Sequence, residues 1–329
     1  MKTSTAAVPA RTWTVEFDAG REAAAGDEGL RLPLEWLGGD RAERIFGDVP
    51  PAGTAEGFQL AETPDLRLGW AVAPAGPDLE GSAAALYRRL LAAAGGWHLA
   101  RIWNYVPGIN GMRGGLENYR AFSAGRARGF EDVFGPAFSA RLPAASAVGC
   151  EGGALACVFA ATRGVPRHCE NPEQVPAYRY PPEHGPRPPS FTRATVGRWG
   201  GRLLAFVSGT AAIKGHRSEG RGSLAAQLDC TLDNLRLISE AAGLGADLLA
   251  GGAAERHFKV YLRRAGDRAE AGARLGGALF RPGDRVVWLR TDLCRAELDV
   301  EIEATLVGAP VNGAPAARAG ADNRASPGR

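Results

Sequence analysis

Asp299-Val300-Glu301-Ile302-Glu303-Ala304 alternates branched apolar residues with carboxylates. Side chains of a strand point alternately to its two faces. Val300, Ile302, Ala304 and Leu306 therefore share one face, and Glu301, Glu303 and Thr305 share the other. A glutamate facing water is the common case. One that loses its solvation in apolar company holds its proton toward neutral pH, which is what a general acid requires.

Upstream of this strand, Arg285-Val286-Val287-Trp288-Leu289 reads as another strand, preceded by a helix near Ala269–Phe280 and a strand at His257–Leu262. Ser223 is placed to cap a longer helix whose Leu224, Leu228, Leu232, Leu235 and Ile238 recur at helical spacing, with Gly243 as its stop. Before it, Arg202 to Ser208 is a strand ending in Ser208-Gly209-Thr210. The first half repeats the grammar. Ser82 caps a helix through Leu91, Gly95-Gly96 ends it, and Trp97–Tyr105 is a strand. This order predicts an α/β fold of the α+β sandwich kind, with helices over one sheet face. The expected division is residues 1–150, then 151–307, then a disordered tail over 308–329. Seven prolines between Asn171 and Ala194 exclude helix and central strand there. The tyrosines, phenylalanine and arginines among them predict a rigid, packed loop.

The chain has 329 residues, 45% hydrophobic and 23% charged, with a net charge of +3. That is the composition of a globular protein large enough for two cores. Only Lys2, Lys214 and Lys259 are lysines, so the many arginines fit a coding bias. No basic run interleaved with aromatics predicts a nucleic-acid surface. The start, Met1 to Thr14, lacks an apolar signal core, and no stretch nears the roughly 20 apolar residues of a membrane span. Five cysteines without paired spacing, His168-Cys169 included, fit no common zinc site, so neither metal nor disulfide is expected and a reducing, cytoplasmic setting is. No GxSxG elbow surrounds Ser208. His216 beside Gly215 reads as a loop histidine.

Ser208-Gly209-Thr210, Gly222, Gln227, Asp233-Asn234-Leu235, Glu240-Ala241-Ala242-Gly243 and Val300-Glu301-Ile302-Glu303-Ala304 resemble, in that order, the YjgF/RidA-like superfamily. That resemblance implies a C-terminal domain of that type, a related but degenerate N-terminal half, and a pocket-facing Glu301. The superfamily's ligand-binding arginine would fall at Val286, a departure from the pattern. Superfamily members are commonly trimers; an internal duplication would bury the same surfaces in one chain, and a monomer is expected.

A narrower resemblance spans nearly the whole chain. Arg101-Ile102-Trp103-Asn104-Tyr105-Val106-Pro107-Gly108-Ile109-Asn110, then Asn118-Tyr119 with Phe122, Gly125 and Arg126, then Tyr178-Arg179-Tyr180-Pro181, Gly185-Pro186-Arg187, Ser190-Phe191 and Ser208–His216 are similar to the chorismatases. These enzymes release pyruvate from chorismate without a cofactor. The resemblance implies that Glu301 protonates the enolpyruvyl methylene. It also implies that Tyr178, Arg179, Arg187 and Arg193 hold carboxylates and that Gly209, Thr210 and Ala211 contact substrate. Arginine suits a dianion because its planar fork pairs both carboxylate oxygens. Cys294, seven positions before Glu301, matches the members that form 3-hydroxybenzoate, possibly with some of the 4-hydroxy isomer. Ala211 fits instead the hydrolases, which give 3,4-dihydroxycyclohexa-1,5-diene-1-carboxylate, or the members making both isomers. A metabolite-binding module without turnover, or an imine deaminase, is the alternative of another class.

Overall fold

A computed structural model describes residues 13–310. The expectations for the first residues and for the tail beyond Pro310 lie outside that range. Two sheets stand face to face, each with two helices on its outer side. The first contains β1 (Pro51–Ala55), β2 (Phe58–Glu62), β3 (Leu66–Pro74), β4 (His98–Pro107), β5 (Ala144–Cys150) and β6 (Ala154–Thr162), covered by α1 (Leu79–Ala94) and α2 (Asn118–Phe134). The second contains β7 (Arg167–Cys169), β8 (Ala194–Trp199), β9 (Arg202–Ala211), β10 (Glu255–Leu262), β11 (Arg285–Arg290) and β12 (Val300–Pro310), covered by α3 (Leu224–Ala241) and α4 (Arg268–Ala278).

The spatial order β5-β4-β6-β3-β2-β1 in the first sheet is repeated as β11-β10-β12-β9-β8-β7 in the second. In each sheet the helix-linked pair is parallel (β4 with β5, β10 with β11), and the last strand inserts antiparallel beside it. The chain is thus an internal duplication of one strand-helix-strand-helix-strand plan. An early strand, Glu35–Gly39, crosses over to extend the second sheet beyond β11.

Three cores follow from this layering. Val300, Ile302, Ala304 and Leu306 pack under α3 and α4 with Leu228, Leu235 and Ile238. Leu86, Tyr87, Leu90, Phe122 and Phe130 fill the space under α1 and α2. Between the sheets lie Trp70, Trp103, Tyr105, Phe206 and Tyr261. The face expected to be the wet one on β12 is therefore buried too: Glu301 and Glu303 are 3% and 2% exposed.

Several boundaries differ from expectation. The first sheet continues past residue 150, because β6 lies in its centre and hydrogen-bonds both β3 and β4. Gly308 to Pro310 prolong β12 instead of opening the tail, since β12 stays paired with β9 as far as Arg202. Asp78, not Ser82, caps α1, accepting from the Gly81 N–H. Ser223 caps α3 as expected. Helix α2 crosses α1 at glycines: a Cβ at Gly125 would stand 2.1 Å from the Glu80 carbonyl oxygen. That close approach fixes the next residue, Arg126, in the interior, where it is 1% exposed.

Candidate active site

Glu303 sits at the centre of the sheet interface. Its Oε2 accepts from Arg101 Nη2 at 2.7 Å and from the Ser146 hydroxyl. Its Oε1 accepts from Trp103 Nε1 at 2.8 Å and pairs with Lys259 Nζ at 2.8 Å. Lys259 also pairs with Glu43 at 2.8 Å. Burial would raise the Glu303 pKa, but Lys259 and Arg101 outweigh it and hold the carboxyl below its ordinary value. Burial opposes the Lys259 charge as well, and Glu303 with Glu43 overcomes it, so the amine is firmly protonated.

Glu301 lies two residues away on the same face and is treated in the opposite way. It pairs across the sheet with Ala211 on β9 and Tyr261 on β10. Burial first, and the Glu303 charge second, push its pKa up to about 8, against Arg101 and Arg193. One strand thus carries two carboxyls with separated affinities for a proton: Glu303 ionised, Glu301 protonated at neutral pH. Such a separation is how environment assigns acid and base roles to like groups. Gly209 makes room for the acid, since a Cβ there would stand 1.9 Å from Glu301 Oε1.

The acid opens into a cavity of about 580 Å³, within the size range of small-molecule sites. Residues of both halves line it, including Glu117, Tyr119 and Arg120 from the first and Tyr180, Phe191, Arg193, Cys294 and Arg295 from the second. Cys294 Sγ donates to Glu301 Oε2 at 4.0 Å. Burial and then the Glu301 charge push that thiol up to about 12, so it is a thiol and not a thiolate. Arg193 Nη2 donates to the Tyr180 hydroxyl at 2.7 Å, and Arg295 lies 5.5 Å from the centre of the same ring. Elsewhere on the wall Arg120 is paired with Glu117 and Arg221 with Glu297.

The cavity gathers Glu301, Cys294, Arg193, Gly209 and Ala211. Tyr178, Arg179 and Arg187 are elsewhere, around a separate depression of about 260 Å³ with Phe138 and Ser190. Ala177–Arg179 is a 3-10 turn, which presents Tyr180 rather than Tyr178 to the cavity, and Arg187 pairs with Glu131 at 3.0 Å. Thr210 points away from the cavity between Gly209 and Ala211, its hydroxyl donating to the Ser208 carbonyl at 2.8 Å. Val286 packs against the core under the helices. Arg295, adjacent to Cys294, and Arg126 are wall residues that the sequence reading did not assign to the site.

Among the described residues, one group could offer three ligands to a metal: Glu183, His184 and His216 at the cavity mouth. The two imidazoles already hydrogen-bond each other at 2.9 Å (His184 Nε2 to His216 Nδ1), and the charges of Arg295 and Arg120 act on His184. These guanidinium groups oppose a second cation.

The raised pKa of Glu301 links folding to pH. Its proton is held more tightly in the folded chain, so its stabilising contribution is complete below the ordinary value of 4.5 and is lost as pH rises through about 8. Glu301→Gln abolishes that titration. Urea unfolding is expected to show the variant gaining on wild type steadily between these two pH values; a difference independent of pH across the window would contradict the assignment.

Residues 47–161 match the family model for the N-terminal part of FkbO/Hyg5-like chorismatases, a match that ends within β6. A chorismatase of Streptomyces rapamycinicus is 40% identical over 78% of this chain and 78% of its own length. A 3-hydroxybenzoate synthase of Streptomyces hygroscopicus is 38% identical over 63% of each. A crystal structure of a chorismatase superposes with a TM-score of 0.76 at 31% identity, covering 93% of this chain and 96% of that one. With the buried acid, the duplicated sheets and these likenesses together, the chain belongs to the chorismatase family.

Proposed function

We propose that this protein cleaves the enolpyruvyl ether of chorismate, releasing pyruvate and 3-hydroxybenzoate, with some 4-hydroxybenzoate as a minor product. The observation that carries the reading is the protonated Glu301 at the inner end of a cavity with Arg193 and Arg295 in its wall. Glu301 gives its proton to the terminal methylene, which becomes the methyl group of pyruvate. Positive charge develops at the adjacent ether-bearing carbon, and the carboxylate left behind stabilises it. As the ether bond to the ring breaks, its electron pair goes to the pyruvate oxygen. The neighbouring ring hydroxyl gives up its proton, and its oxygen bonds to the carbon the ether leaves. That oxygen then takes the proton back as its bond to its original carbon breaks, which gives the 3-hydroxy product; breaking the new bond instead gives the 4-hydroxy isomer. 3-Hydroxybenzoate and pyruvate together contain the atoms of chorismate, so no water is consumed. The ring loses one C–H proton on becoming aromatic, and that proton replaces the one spent. Arg193 supplies charge-assisted hydrogen bonds to a substrate carboxylate.

Cys294 and Ala211 flank Glu301 from two sides, one as its hydrogen-bond donor and one as its cross-strand partner. The thiol supports the aromatising course, because a neutral S–H beside the acid can relay a proton near the ring. Ala211 favours the second reading, addition of water to give the dihydrodiol acid. The working unit in this proposal is one chain, supported by the face-to-face packing of both sheets within it. A cytoplasmic setting is supported by five unpaired cysteines.

Incubation with chorismate, with pyruvate followed by a coupled assay and the ring product by chromatography, tests the proposal. Glu301→Gln is expected to bind 3-hydroxybenzoate as wild type does and to lose pyruvate release by about a thousandfold or more; full activity would remove Glu301 from the mechanism. Binding of chorismate by wild type without turnover would favour a metabolite-binding module. Cys294→Val is expected to shift product toward the dihydrodiol, and an unchanged product ratio would contradict the thiol's role.

A further inference from the structure

Tyr178, Arg179 and Arg187 stand out in the sequence, yet the cavity at Glu301 uses none of them. They meet around the separate depression of about 260 Å³. Part of its lining is aromatic and fixed. Phe138 stacks on Phe130, with ring centres 6.0 Å apart and planes 4° from parallel. Phe138 and Tyr178 both pack against the core under α1 and α2, so the two rings are held in place before any ligand arrives.

Another part is cationic. Glu131 pairs with Arg187 at 3.0 Å and offsets that charge. Arg179 is exposed and makes no ion pair with a described residue. Glu170 feels the Arg179 charge, but burial opposes ionisation of its carboxyl and raises its pKa, which makes it a weak counter-ion. Ser190 adds a third kind of group. It is 2% exposed, and no side-chain hydrogen bond joins it to another described residue. A buried hydroxyl left in that state costs stability until something completes it.

We propose that this depression is a second binding site, separate from the cavity that holds Glu301, for a single-ring aromatic carboxylate. The carboxylate takes charge-assisted hydrogen bonds from Arg179 and a hydrogen bond from the Ser190 hydroxyl. The ring lies against Phe138 and Tyr178, where aromatic contact adds to burial. A volume of about 260 Å³ is near the lower end for small-molecule sites and suits one ring. This binding chemistry stands without the chorismatase reading; naming the aromatic product as the natural occupant rests on that reading. The two sites meet at adjacent residues, since Ser190 lines the depression and Phe191 lines the cavity.

Calorimetric titration of the full chain with benzoate tests the assignment, with thermal melting to show that each variant is folded. Arg179→Gln removes the charge. Ser139→Trp, at an exposed position of the lining, fills the space. Wild type is expected to bind benzoate in the depression as well as in the cavity. Arg179→Gln should weaken the depression site about tenfold or more, in line with loss of a charged hydrogen bond, and leave the cavity site within about twofold. Ser139→Trp should abolish the depression site and spare the other. Benzamide, of the same shape without the charge, should bind the depression about tenfold or more weakly than benzoate. Benzoate binding that both variants leave unchanged, or benzamide held there as tightly as benzoate, would overturn the proposal. None of these measurements needs turnover. Failure of wild type to release pyruvate from chorismate would sink the chorismatase reading alone.

Discussion

The buried pairing of Glu303 with Arg101 and Lys259 is the constraint on which the site depends. Arg101 and Trp103 come from the first sheet, Glu303 and Lys259 from the second, so one carboxylate ties the two halves of the duplication together. Removing one partner from such a buried group strands a charge, at a cost of about 3–5 kcal/mol. The same ionised carboxylate lies beside Glu301 and discourages a second negative charge there. Structure and acid strength therefore come from one arrangement. The sheets must close to bury both carboxyls, and the closed sheets hold one of them ionised and the other protonated.

Around that pair the duplication explains where the cavity lies. Gly209 and Ala211 approach from β9, Cys294 from the segment before β12, and Tyr119 from the first turn of α2. The acid thus receives neighbours from both halves, and a small change at any of them acts on it directly. Ala211 and Cys294 differ in what they offer: one sets volume opposite the acid, the other adds a proton donor. In the proposed reaction, choice of product is then a matter of what surrounds the ring after protonation, while the protonation itself rests on Glu301 and Glu303.

Much of this was legible in the chain. The alternation at Val300–Leu306 placed Glu301 and Glu303 on one face, and the helical stripe from Leu224 to Ile238 matched α3. What strand alternation could not show was a second sheet covering the carboxylate face. Arg101 and Glu303 are distant in sequence and meet only through the duplication. Helix α2 escaped notice because its buried side carries Asn118, Ser123, Gly125, Arg126 and Gly129 among its apolar residues, and so shows no clear apolar stripe. Nothing local in the sequence marks Arg126 as buried. The proline-rich segment misled in the other direction: its tyrosines and arginines are packed, as expected, but the 3-10 turn at Ala177–Arg179 sends Tyr178, Arg179 and Arg187 to a different depression.

The central claim is that Glu301 keeps its proton at neutral pH because burial, reinforced by the ionised Glu303 beside it, opposes its charge. Carbon-13 labelling of glutamate side chains, with Glu301 identified by comparison with the Glu301→Gln protein, allows its carboxyl to be titrated by NMR in the resting enzyme. The account predicts a midpoint near about 8 for Glu301, falling to lower pH when Glu303 is replaced by Gln. A midpoint near the ordinary 4.5, or one indifferent to Glu303, would contradict it.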